Sequence, residues 1–131
     1  MTPAIQQSVR FRTSPRTLFA MYLDSRKHAV STGAPAKVSK KTGGRFTAFG
    51  NQLEGKNLLI VPGKRIVQLW RATHWEKGDW SILILDFSRV AGGAQVDLVH
   101  AGVPAYDHKG VREGWPKYYW RPWKKYLAKR S

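Results

Sequence analysis

The stretch RIVQLWRATHWEKGDWSILILDFSRVAGGAQVDLVHAGV, residues 65–103, decides the fold. Its segments Arg65–Trp75, Trp80–Val90 and Gln95–Val103 are rich in Ile, Val, Leu, Trp and Phe, the composition of strands on a half-buried sheet. Lys77-Gly78-Asp79 and Gly92-Gly93 break them at hairpin intervals. Toward the N-terminus, Gly43-Gly44, Gly50-Asn51 and Pro62-Gly63 divide Arg45–Phe49 from Gln52–Val61 in the same way. The period between residues 37 and 103 is that of about six antiparallel strands.

Outside this stretch the period differs. Residues 5–12, IQQSVRFR, fit a first strand with Val9 and Phe11 on one face. Ser14-Pro15 reads as an N-cap followed by proline at the first helical position, and Leu18, Phe19, Tyr22 and Leu23 follow at helical spacing. Asp24 can cap a second short helix through Val30, which Gly33 and Pro35 end. After Val103-Pro104 the pattern is helical again: Trp115, Tyr119, Trp123 and Tyr126 recur every three or four residues, with Leu127 beside them. Proline inside a helix removes a backbone bond and bends it, so Pro116 and Pro122 predict a kinked helix or one that starts near Pro116. The expected class is α+β: two short helices after the first strand, a curved antiparallel sheet, and a long C-terminal helix across it.

The 131 residues fit one domain, 1–131. Lys and Arg total 23 against 8 Asp and Glu, a net charge of +15, which favours anionic partners. The excess sits at the ends, because residues 46–108 hold six basic and six acidic residues. Without cysteine, disulfides, thiol nucleophiles and cysteine zinc sites are excluded. The purely aliphatic runs Leu58–Val61 and Ile82–Leu85 fall far short of the ~18 residues of a membrane helix, and the N-terminus lacks a signal-like apolar stretch. A cytoplasmic protein is expected.

No catalytic set is legible. His28, His74, His100 and His108 include no i, i+4 pair, so no metal site and no cofactor is expected. There is no Gly-x-Ser-x-Gly elbow, and the carboxylates are dispersed. Lys41-Thr42-Gly43-Gly44 lacks the Gly-Lys-Ser/Thr core of a phosphate loop and runs into a strand.

Alternation assigns the inner face of the sheet. Trp70 shares a parity with Gln68 and Ile66, Phe87 with Leu85, Leu83 and Ser81, and His100 with Leu98 and Val96. Asn57 falls with Leu53, Gly55, Leu59 and Val61. The lining is apolar with sparse polar groups, Asn57, Gln68, Ser81 and His100, as in a small-molecule pocket. Alternatively, these groups bond to one another, to backbone or to trapped water in a closed core. Trp115 and Tyr119 lie one turn apart on the last helix as a plug over that pocket or as plain core, with Gly114 letting the backbone approach the sheet. Candidate ligand residues are therefore Asn57, Gln68, Trp70, Ser81, His100, Trp115 and Tyr119. Separately, Lys117, Arg121, Lys124, Lys125, Lys129 and Arg130 interleave with Tyr118, Trp120 and Trp123. That mixture fits a polyanion or single-strand nucleic-acid platform, or a solvated helix face. No known nucleic-acid recognition motif accompanies it.

Taken in order, Gly43-Gly44-Arg45-Phe46, Gly50, Gly55, Val61-Pro62-Gly63-Lys64-Arg65-Ile66-Val67, Trp70-Arg71, Gly78-Asp79-Trp80-Ser81, His100-Ala101-Gly102-Val103-Pro104, Gly114-Trp115 and Tyr118-Tyr119-Trp120 form a pattern. It resembles the domain at the C-terminal end of the activator of heat-shock protein 90 ATPase, and its stand-alone bacterial homologues. These belong to the START-like (SRPBCC) helix-grip superfamily. The resemblance runs from about Val9 to Leu127 and implies a sheet gripping a long C-terminal helix. The eukaryotic co-chaperone has an additional N-terminal domain that engages the chaperone, for which 131 residues leave no space. Many superfamily relatives bind lipids, hormones or polyketides between helix and sheet, and a minority are cyclases or hydrolases. The resemblance implies little about activity; with no catalytic set legible, the expectation is a non-catalytic binding domain similar to that family, whose partner is an apolar small molecule or a chaperone. The alternatives are nucleic acid or another polyanion on the basic ends, or an enzyme using His100 as general base.

Overall fold

Punctuation in the sequence sets the elements of the computed structural model, which describes residues 2–130. The first strand, β1 (Ile5–Phe11), leads to α1 (Pro15–Leu23), which Ser14 caps by accepting from the Thr17 N–H at 3.1 Å. Asp24 both ends α1 and starts α2 (Ser25–Thr32). Its own N–H bonds to the Ala20 carbonyl while its carboxylate accepts from the Lys27 N–H. Gly33, at φ 81°, closes α2.

Six strands follow: β2 (Ala36–Val38), β3 (Arg45–Ala48), β4 (Leu53–Val61), β5 (Arg65–Ala72), β6 (Ser81–Val90) and β7 (Gly93–Ala101). Gly43, Gly50, Gly63, Gly78 and Gly92, in the turns between them, all take positive φ, which only glycine adopts without cost. The sheet is antiparallel throughout in the order β1-β7-β6-β5-β4-β3-β2, so β1 and β2 are its edges. The fold is the helix grip: a curved sheet, two short helices, and a long C-terminal helical segment closing one face.

Along β5, β6 and β7 the inner parity is the expected one. Ile66, Gln68, Trp70 and Ala72, then Ser81, Leu83, Leu85 and Phe87, then Ala94, Val96, Leu98 and His100 are all buried. On β4 the expectation fails beyond Asn57. The pairing steps from Asn57↔Gln68 to Leu59↔Val67, leaving Leu58 as an extra residue in a β-bulge. A bulge reverses the facing of everything after it. Leu59 and Val61 therefore point outward, and Ile60 takes the inner position opposite Ile66.

The C-terminal helix begins at His108, not near Pro116. It runs as α3 (His108–Trp115), a π-helical turn over Pro116–Trp120, and α4 (Arg121–Arg130). A helical residue at position 116 would donate to the Arg112 carbonyl; proline has no such N–H. Gln7 of β1 donates to that carbonyl from Nε2 at 2.9 Å, and its Oε1 accepts from the Trp120 indole at 2.7 Å. The wider turn then forms with the Arg121 N–H reaching back to the Pro116 carbonyl. Proline is tolerated here because a distant strand satisfies what it leaves open.

Candidate functional site

The four polar residues assigned to the inner face are all buried and bonded, and they do not line an open cavity. Two chains of donation account for them. In the first, the Trp115 indole donates to His100 Nδ1 at 3.1 Å, so His100 carries its proton on Nε2. That N–H meets Ser81 Oγ at 2.8 Å, and the Ser81 hydroxyl donates to the Trp70 carbonyl at 2.7 Å. In the second, the Tyr22 hydroxyl donates to Gln68 Oε1 at 2.7 Å, and Gln68 Nε2 donates to Asn57 Oδ1 at 2.9 Å. Asn57 Nδ2 ends the chain on the Ser39 and Lys41 carbonyls, tying the β2–β3 connection to β4.

Burial holds His100 neutral, its pKa lowered to about 3, with His108 adding a smaller repulsion. With Nδ1 engaged by Trp115, the ring has no free lone pair, so it is not placed as a general base. A third arrangement joins α2 to the C-terminal helix. The Tyr119 hydroxyl lies 3.0 Å from His28 Nε2, while His28 Nδ1 donates to the Tyr22 carbonyl at 2.7 Å. Burial lowers the His28 pKa and raises those of Tyr22 and Tyr119.

A cleft of about 490 Å³ opens between the sheet and the C-terminal helix, beside these networks. Trp70, Trp115 and Tyr119 line it; Asn57, Gln68, Ser81 and His100 do not. Its other apolar walls are Phe49, Leu53, Ala72, Val111 and Tyr118. The rings form one packed set: Trp115 lies 4.6 Å from Tyr119, centroid to centroid, and Phe49 meets Tyr119 edge-on at 5.5 Å. On the cleft wall, His74 Nε2 lies 3.4 Å from the Asp107 carboxylate, which also accepts from the Trp75 indole.

Two details mark the cleft. Phe49 has φ 53°, the one non-glycine residue with positive φ among the described residues. A left-handed conformation costs a bulky residue about 1 kcal/mol or more, and such strain collects at binding sites. Trp70 Nε1 is buried without a hydrogen-bond partner, on a ring that lines the cleft.

Gly114 has a role other than the close approach expected of it. A Cβ there would meet only the Tyr118 ring, at 3.6 Å, an ordinary contact. Its missing side chain leaves cleft volume. Gly55 is the glycine that a close approach requires, because a Cβ on it would collide with the Leu69 carbonyl oxygen and the Phe46 ring.

The basic residues of the last helix, Lys117, Arg121, Lys124, Lys125, Lys129 and Arg130, are exposed and form no ion pair among the described residues. The interleaved aromatics do not share that face. Trp120 and Trp123 are buried in the core and only Tyr118 is exposed, so the expected stacking platform is reduced to one ring. Among the described residues no cluster of His, Asp and Glu suited to a metal is present, and no helix is long and apolar enough to cross a membrane. Sequence reasoning missed Phe49, Leu53, Ala72, Val111 and Tyr118 as cleft residues. Helical spacing could have offered Val111 and Tyr118, one turn to either side of Trp115.

Known proteins share this architecture and this sequence pattern. The family model described as "Activator of Hsp90 ATPase homolog 1-like protein" matches residues 12–128. The human protein named activator of 90 kDa heat shock protein ATPase homolog 1 is 30% identical over 109 residues, covering 83% of this chain and 32% of the human one. A Dictyostelium discoideum activator homolog is 29% identical over 118 residues, or 88% of this chain and 30% of its own length. The chain thus spans about a third of the length of these curated relatives. The crystal structure of an HSP90 activator from Plasmodium falciparum superposes with a TM-score of 0.88 at 23% identity, covering 97% of each chain, a likeness of fold.

Proposed function

The chain belongs to the Activator of Hsp90 ATPase homolog 1-like family, and on that premise we propose that it acts as a non-catalytic binding domain whose cleft takes an apolar small molecule. The aromatic cleft carries this reading. Its volume of about 490 Å³ lies within the range of small-molecule sites. An apolar ligand would pack against the half-buried Phe49 and Leu53 and the exposed Tyr118, with the buried Trp70, Trp115 and Tyr119 forming the floor beneath it. The polar groups of the core are already paired and contribute walls rather than contacts.

Titration with the fluorescent probe 1-anilinonaphthalene-8-sulfonate, read by probe emission and by quenching of the chain's tryptophan emission, tests the reading. The comparison is with Gly114→Leu, which fills the cleft from a position with room for a Cβ. Saturable binding to the unaltered chain and its loss in the variant are expected. Equal binding by both would place the probe elsewhere and remove the cleft as its site.

A second reading draws on the names of the curated relatives, which are ATPase activators of the 90 kDa heat-shock protein. In it, this chain stimulates such a chaperone by docking on it. Adding the purified chain to an Hsp90-type chaperone and following ATP hydrolysis decides it: a rate that rises with added chain supports docking, and an unchanged rate excludes stimulation.

A further inference from the structure

A second recess, of about 470 Å³, lies between β1 and the C-terminal helix and shares no residue with the aromatic cleft. One wall is the β1 chain from Gln7 to Val9; the other carries Pro116, Trp120, Arg121 and Lys124. As an edge strand, β1 is paired with β7 on one side only. In an antiparallel ladder alternate residues turn their N–H and C=O groups away from the neighbour, and those of β1 have no other backbone partner among the described residues. The facing wall is cationic: Arg121 and Lys124 are exposed without acidic partners among the described residues. Lys124 Nζ sits 5.9 Å from the Phe11 ring centroid at the end of β1. Gln7 bridges the two walls through the Arg112 carbonyl and the Trp120 indole, so their spacing is fixed.

We propose that this recess binds an acidic, extended segment of another protein, added to the sheet as a further strand beside β1. Main-chain hydrogen bonds to the open edge hold the segment, and Arg121 and Lys124 select carboxylates on its helix-facing side. A second copy of this chain is a poor occupant, because pairing β1 with β1 brings a second cationic wall of Arg121 and Lys124 to a recess that already carries one. Nucleic acid is a poor occupant too. The aromatic ring of this recess, Trp120, is buried and offers no face for base stacking.

The test uses the full chain and labelled peptides about eight residues long, the length of an ordinary strand. One alternates Glu and Val, a second replaces its Glu by Gln, and a third keeps the charges but has proline at alternate positions, which removes the backbone donors. The Glu-Val peptide is expected to bind and to shift the β1 amide resonances. Its affinity should fall about tenfold for the Gln peptide and for Arg121→Glu with Lys124→Glu, and vanish for the proline peptide. Both substituted positions are exposed, so folding is not at issue. Equal binding of the proline peptide, or of a thymidine oligonucleotide of equal charge, would overturn strand addition. Absence of shifts in β1 would overturn the site.

Discussion

Replacing His100 by Leu probes the closed polar core, and its cost should depend on pH in a specific way. At neutral pH the substitution leaves the Trp115 indole N–H without its 3.1 Å acceptor, a penalty of about 1–3 kcal/mol for a buried donor. The change of shape adds up to about 1.5 kcal/mol. Ser81 keeps its bond to the Trp70 carbonyl, so the total is about 1–4.5 kcal/mol. In acid the balance changes. The folded His100 holds its pKa at about 3, against roughly 6.5 in an unfolded chain. Between those values the unfolded state binds a proton here that the folded state refuses. The unaltered chain therefore loses up to about 1.4 kcal/mol of stability per pH unit as pH falls through that window, with no contribution above it. Leucine does not titrate, so the variant escapes this loss. At about pH 4.5 its penalty should be smaller by roughly 3 kcal/mol, a change comparable to the penalty itself. Urea unfolding followed by tryptophan fluorescence at about pH 7.5, 6 and 4.5 measures the difference directly; His28 and Asp24 titrate in both chains and cancel. A penalty that stays constant with pH would refute the reasoning, since His100 would then titrate alike in both states.

Gln68→Leu orphans the Tyr22 hydroxyl and Asn57 Oδ1 together and should cost about 2–4 kcal/mol in urea unfolding. Gly55→Ala drives a methyl into the Leu69 carbonyl oxygen and the Phe46 ring; a loss above about 3 kcal/mol, or failure to fold, is expected from thermal denaturation. Phe49→Gly should be less destabilising than Phe49→Ala by about 1 kcal/mol, because glycine relieves the positive φ that alanine retains. Gln7→Ala removes the partners of the Arg112 carbonyl and the Trp120 indole. It should cost about 1–3 kcal/mol and speed amide exchange in the π-helical turn.

Local signals carried most of the fold. The turn glycines, the caps at Ser14 and Asp24, and the alternation along β5 to β7 act within a few residues, and the family pattern agreed with them. Leu58 lies where local reading ends: a bulge is set by cross-strand pairing, and no neighbour of Leu58 announces it. The helix start shows the same limit. Pro116 reads as a boundary until Gln7, 105 residues away from Arg112, takes the carbonyl it strands. For the site, parity correctly placed Asn57, Gln68, Ser81 and His100 inside. It could not say that Tyr22 and Trp115 would meet them and close the core, since those partners lie in helices. The cleft instead gathers Phe49, Leu53, Ala72, Val111 and Tyr118 from three strands' ends and a helix, a juxtaposition that only the packed structure shows.

Native mass spectrometry addresses the cleft most directly, applied at low salt to the unaltered chain and to Gly114→Leu purified in parallel from one expression host. The cleft reading predicts an adduct of roughly a few hundred daltons on the unaltered chain, in keeping with a small-molecule site, and none on the variant. Bare protein in both samples, or the same adduct on both, would contradict it.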